Sequence, residues 1–386
     1  MPQGFPLFST VVLIVPACIL AGGLQAQSQT AAPPDAACKV TSVQKTSTNY
    51  ENAGTSSLGD VAVTQLDTNG VYQVYIQKHG TTGFQCITCA AHGGAPGVNL
   101  NKPMINWHPS GEWLVVGVEE TSHDLSWMPA SWQRGFLQSG IWLNIWVTKP
   151  DGSQWIQITD FNSAGPANGF VGVSFTPDGK TVVWAEIVNG NIFVNLFGQW
   201  KLYMGNFSIS SQGVPAFTNI RDITPAGARW IEPGMFAPDG KHILVSSDIG
   251  MTNAAGQDQF ALDVTTGQVQ NLTNSPTVWD EHGLYSPDGN KIVFMSSYPY
   301  RSNPYSDSVL FLQTEFMLMN ADGSGLEQLT HFNVPGYAES QPGLTVAAVA
   351  GFTADGTQLL GAVMGPNFTT TNWIITFAGP CGNRPK

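Results

Sequence analysis

Charge is scarce in this 386-residue chain: Asp, Glu, Lys and Arg together make up 11%, and only 15 residues are Lys or Arg. With a formal net charge of -12, a basic surface that would hold nucleic acid or an anionic membrane is excluded. Long apolar runs are also missing after the first 26 residues, so no later stretch is suited to span a membrane as a helix. Several reaction signatures are absent too. There is no GxSxG nucleophile elbow, no HExxH, no phosphate-binding P-loop and no GxGxxG before a helix. What is plentiful is Gly (42), Pro (25) and aromatic residues (11%), a composition of short strands joined by tight turns.

The first 26 residues read as an export signal, with an apolar run from Phe5 to Ala21 and a cleavage site around Leu24, Gln25 and Ala26. A basic leader is lacking. The alternative is lipoprotein processing at Cys18, which Pro16, Ile19 and Leu20 fit poorly. A periplasmic or secreted protein is expected. Beyond the signal four cysteines remain, Cys38, Cys86, Cys89 and Cys381, an even number suited to an oxidising compartment. Cys38 and Cys381, near the two ends of the mature chain, are expected to pair.

Residues 27–57 are rich in Ala, Ser, Thr and Pro without periodicity and read as a linker with a lead-in segment. Repeats occupy 58–386. One is a strand, a tight turn and a strand: INWHPSGEWLVVGVE from Ile105, VSFTPDGKTVVWAEI from Val173, MFAPDGKHILVSSDI from Met235, LYSPDGNKIVFMSS from Leu284 and GFTADGTQLLGAVM from Gly351. Between these lie second hairpins that close on an aliphatic residue and a threonine: Ile87-Thr88, Ile158-Thr159, Ile223-Thr224, Leu272-Thr273 and Leu329-Thr330. Two hairpins make a four-stranded antiparallel sheet, and recurrence at roughly 50 to 70 residues predicts propeller blades. Five units are complete. A sixth is split between DVAVTQL from Asp60 and TNWIITFAG from Thr371, so strands from both termini are expected to close an all-β, six-bladed ring.

TPDGK at Thr176, APDGK at Ala237, SPDGN at Ser286 and NADGSGLEQLT at Asn320 resemble the TolB-like β-propeller repeat family. HPSG at His108 and TADG at Thr353 depart from its pattern. The resemblance covers roughly residues 60 to 378, implies the propeller fold and is nearly silent on function.

In such a blade both hairpin turns lie on one face of the disc, and the longer, varied loops lie on the other. The loop face collects Glu119, Glu120, Glu186 and Asp248 at the ends of second strands. Glu232, Asp280, Glu281 and His282 stand just before inner strands, and Trp127, Trp132, Trp200, Trp230, Trp279, Tyr298, Tyr300 and Tyr305 accompany them. Carboxylates converging on a channel favour a bound divalent cation, a shifted pKa or a polar ligand. The plainer reading of Trp279-Asp280-Glu281-His282 is a loop whose carboxylates cap backbone groups while Trp279 packs between blades.

Cys86-Ile87-Thr88-Cys89, followed by His92, could be a disulfide, a redox pair or, with His92 and His108, a metal site. Its place at the end of an outer strand favours the disulfide. The first functional expectation is a non-catalytic exported propeller that binds a protein, peptide or glycan on its loop face. The second is a carbohydrate-active enzyme, a polysaccharide lyase or glycoside hydrolase, with His282 or Glu281 moving the proton.

Overall fold

The computed structural model describes residues 36–382 apart from 92–93, 122, 124–128, 162–167, 190–197, 253–255, 304, 306–310 and 367–368. The export signal at 1–26, the lipoprotein alternative at Cys18, His92 and Trp127 therefore lie outside the described residues.

Among the described residues, twenty-four strands form six four-stranded antiparallel sheets, the blades of a β-propeller. Blades 1 to 5 each run continuously from the inner strand outward. Their inner strands are Asn52–Thr55, Met104–Trp107, Phe170–Phe175, Ile231–Phe236 and Asp280–Tyr285. Blade 6 takes Val346–Phe352, Gln358–Gly365 and Thr369–Phe377 from the end of the chain and Val40–Lys45 from its start as outermost strand. Closure does mix the termini, but the split blade is this one. The strand that begins DVAVTQL, Val61–Leu66, belongs instead to the unbroken blade 1. Two strands, Val40–Lys45 and Asn52–Thr55, lie within 27–57, where composition suggested a linker. Asn52–Thr55 is four small or polar residues, and Val40–Lys45 has valine only at its first and fourth positions, so period-two alternation is too weak to mark them.

The Cys38–Cys381 disulfide sits in the core of blade 6, beside Phe377 and Phe332, and joins positions 343 residues apart. Cys86 and Cys89 form the other disulfide.

The repeated residues have structural jobs. In the turns, the hydroxyls of Thr176, Ser286 and Thr353 donate to Asp178, Asp288 and Asp355 at 2.7 Å each. Each aspartate also accepts a backbone N–H across the turn, from Lys180, Asn290 and Thr357. In HPSG the roles exchange: His108 Nδ1 and the Ser110 hydroxyl are 2.8 Å apart. The five threonines that close second hairpins accept backbone N–H groups of the third strand, from Val74, Ile145, Leu202, Gln259 and Phe316. In four of these five blades the outer strand is only two or three residues long, so the hydroxyls satisfy donors beyond its end that would otherwise lack a ladder partner.

Candidate functional site

The inner strands carry a shared irregularity. In blades 3 to 6 the register between inner and second strands shifts, at Val171/Val173, Pro233/Phe236, Glu281/Leu284 and Ala347/Val349. A bulge re-aims the side chains beside it. In blade 3 the bulge residue is Gly172 at φ +56°, where an added Cβ would meet the Pro233 carbonyl oxygen at 2.6 Å. In blade 5 the left-handed position is held by His282, at φ +59°. A non-glycine residue there costs on the order of 1–3 kcal/mol and persists only where its surroundings enforce it.

Those surroundings are visible. Gln259, fully buried, donates Nε2–H to the Asp280 carbonyl (2.9 Å) and to Ser246 Oγ (2.8 Å), and its Oε1 accepts the Gly283 N–H (3.1 Å). The His282 N–H donates to Ser246 Oγ at 3.2 Å. One amide from the third strand and one hydroxyl from the second strand of blade 4 thus clamp both sides of the bulge. Neither residue stands out in the sequence, because an isolated Gln or Ser in a strand gives no signal.

The bulge turns His282 toward Glu232 and Glu281. Glu232 comes from the inner strand of blade 4 and the other two from that of blade 5, all at the loop-face end. His282 Nε2 lies 3.6 Å from Glu232 Oε2 and 4.0 Å from Glu281 Oε2. On the other side of the ring, Nδ1 lies 2.8 Å from the Ala348 carbonyl of blade 6, to which it donates. The Trp279 indole N–H donates to Glu281 Oε2 at 2.8 Å. Among the described residues this is the single group of three His, Cys, Asp or Glu side chains whose ligating atoms all lie within 4.8 Å of one another.

Burial disfavours the His282 imidazolium, but the Glu281 and Glu232 carboxylates outweigh it and raise the ring's pKa. Burial raises the Glu281 carboxyl, and Glu232 adds to the effect against the opposing pull of His282. His282 still keeps 29% of its side chain exposed, against 14% for Glu232 and 10% for Glu281, so the group reaches solvent chiefly through the histidine.

The other expected residues divide differently. Trp279 and Asp280 are 5% and 2% exposed, and Trp230 is 8% exposed; all three face inward. Asp280 is hydrogen-bonded to the Ser275 hydroxyl, and burial pushes its carboxyl up to about 7. Glu119 accepts from Asn101 and meets His123; Glu186 accepts the Trp184 indole N–H at 2.7 Å. Asp248 accepts the Arg229 and Trp230 N–H groups and pairs with the Arg229 guanidinium. None of the three joins the channel group. As metal ligands, Cys86 and Cys89 are consumed by their disulfide, and both nitrogens of His108 are engaged, by Ser110 and the Gly179 carbonyl. Among loop aromatics, Trp132 and Tyr305 are exposed while Trp200 is buried.

Two polar centres were not anticipated. His123 stacks on Trp142 and lies 3.2 Å from Glu119 and 3.1 Å from Glu120. The spacing Glu119, Glu120, His123 was the available signal. Glu51, just before the inner strand of blade 1, accepts from Thr370 (2.8 Å) and Tyr72 (3.3 Å), and burial raises its carboxyl.

No family model matches the chain, and no curated protein matches it. Among solved structures it is similar to TolB from Acinetobacter baumannii, at 16% identity and TM-score 0.47, over 83% of this chain and 64% of that one. A second TolB, from Agrobacterium tumefaciens, is 17% identical with TM-score 0.48, over 73% and 80% of the two chains. Oligogalacturonate lyase from Vibrio parahaemolyticus is 12% identical with TM-score 0.49, over 84% and 76%. The chain thus spans less than two thirds of the Acinetobacter protein's length. At such identities the likeness is one of fold: solved structures similar to this chain include TolB propellers, as the repeats of its sequence suggested.

Proposed function

We propose that this is an exported binding propeller that captures a protein, peptide or glycan on its loop face, with the channel mouth as the point of polar recognition. The observation that carries the reading is the convergence of Glu232, Glu281 and His282 from neighbouring blades on a solvent-open site. Such a group offers directional polar contacts at the centre of a ring of varied loops, the arrangement a rigid scaffold uses to present recognition residues. The two disulfides support export. Among the described residues no helix is long and apolar enough to cross a membrane.

The reading as a polysaccharide lyase or glycoside hydrolase has less support. A proton-transfer group works best with a pKa near the working pH. His282 is instead held toward its charged form between two carboxylates, with Nδ1–H committed to the Ala348 carbonyl.

The test is a glycan array and a peptide library probed with the mature, tag-free chain, followed by titration of the best ligand against variants. Glu281→Gln and Glu232→Gln should each weaken capture at least about tenfold, equivalent to about 1.4 kcal/mol. Glu112→Gln, at an exposed site, should leave it unchanged. Capture indifferent to both channel variants would sink the proposal.

A further inference from the structure

We infer that Glu232, Glu281 and His282 together hold a divalent first-row transition-metal ion at the channel mouth. This deepens the binding reading above and rests on the same site.

Geometry is the first ground. An ion about 2.0–2.2 Å from each of its ligands, at bond angles between tetrahedral and linear, leaves those ligand atoms about 3–4 Å apart. The separations of His282 Nε2 from the two carboxylate oxygens, 3.6 and 4.0 Å, fall in that interval, and all three ligand atoms lie within 4.8 Å of one another. The two histidine–carboxylate distances are too long for good direct hydrogen bonds, so there is room for an ion between Nε2 and the carboxylate oxygens.

The second ground lies behind the ligands. Metal-bound histidines characteristically donate their other ring N–H to a carbonyl or carboxylate, which fixes the ring's orientation, and the ion takes the place of the proton on the ligating nitrogen, releasing it to solvent. His282 Nδ1 does this with the Ala348 carbonyl at 2.8 Å. Ligating carboxylates are held in the same way, and the Trp279 indole N–H holds Glu281. Gln259 and Ser246 fix the backbone from which His282 projects. The contacts that hold His282 and Glu281 thus come from outside the three ligands.

The donor set indicates which ions fit. Two carboxylates and an imidazole suit Mn(II), Fe(II), Co(II) or Zn(II), whereas Ca(II) and Mg(II) prefer all-oxygen shells. Three protein ligands leave coordination positions open, and the 29% exposure of His282 places them toward the channel. An oxygen of the captured ligand, from a hydroxyl or carboxylate, would complete the shell.

The experiment uses the tag-free mature chain, stripped with a chelator and titrated calorimetrically with MnCl2 and with ZnCl2. One ion should bind per chain, and Glu281→Gln or His282→Asn should weaken it at least about tenfold. Asn suits the test because it tolerates a left-handed backbone. In case a variant misfolds, crystals of the unaltered protein soaked in MnCl2 should show an anomalous peak between the three side chains. Absence of that peak, binding no tighter than about 1 mM, or equal binding by folded variants would overturn the inference. Should glycan or peptide capture persist in the chelated protein and still depend on Glu281, the ion alone falls. Should the ion bind as expected while no glycan or peptide is captured, the ion stands and the capture reading falls.

Discussion

Two histidines in this propeller each stand against two glutamates, and they differ in what is left over. His123 is drawn from a single loop, three and four residues after its partners, and both ring nitrogens meet a carboxylate while the ring stacks on Trp142 at 4.9 Å. His282 meets carboxylates from two blades and a carbonyl from a third, with longer separations on the side that faces the channel. The first cluster is closed. The second is open, and His282 and Glu281 are held by groups outside it. Identical residue types thus form a closed anchor in one place and an open group, the proposed point of recognition, in the other, according to whether the imidazole's capacity is used up.

The largest effect should come from breaking the closed cluster. His123→Ala removes the ring that Glu119 and Glu120 share, at carboxylates with 15% and 4% side-chain exposure, although Glu119 keeps its bonds from Asn101. A loss of about 3–5 kcal/mol is expected in urea unfolding, with ligand capture unchanged in the protein that remains folded. His282→Asn should do the reverse, weakening capture with little change in stability. If both variants behaved alike, the distinction between the clusters would disappear.

The disulfides sharpen the same contrast between local and ring-spanning contacts. Replacing Cys38 and Cys381 by Ser, which frees a link across 343 residues, should cost about 2–5 kcal/mol in urea unfolding. The same change at Cys86 and Cys89, three residues apart, should cost about 2 kcal/mol or less.

A smaller effect concerns the residue behind the open cluster. Burial lifts the Asp280 carboxyl from its ordinary 3.8 to about 7 in the folded chain. Because the folded state binds the proton more tightly, this group's contribution is fully present below pH 3.8 and is lost as pH rises through about 7. Asp280→Asn should therefore flatten the decline in stability between pH 4 and pH 7, measured by urea midpoints. An unchanged slope would place that proton elsewhere.

The repeats made most of the fold legible. The Thr- or Ser-led Asp-Gly turns of blades 3, 5 and 6 and the terminal threonines of blades 1 to 5 form local hydrogen bonds, so the same residues recur where the same bonds are needed. The ends of the ring were harder to read. Val40–Lys45 and Asn52–Thr55 are strands only because Thr369–Phe377 and Val61–Leu66 pair with them. At the site, Glu281 and His282 could be picked out because they precede the repeated strand and turn that start at Leu284, at its loop-face end. That Asp280 and Trp279 would turn inward while His282 turned to the channel could not, since a bulge reverses which side of the strand a residue faces.

By itself, then, the order of residues determined the blade: its turns, its hydrogen-bonded threonines and its apolar strands depend on neighbours within a few tens of positions. Only the tertiary structure decided the site. Glu232, Glu281 and the Ala348 carbonyl reach His282 from three blades, and Gln259 and Ser246 hold its backbone in the left-handed conformation. Polar contacts of that kind have no period along the chain, because they arise where closure of the ring brings the ends of separate inner strands together.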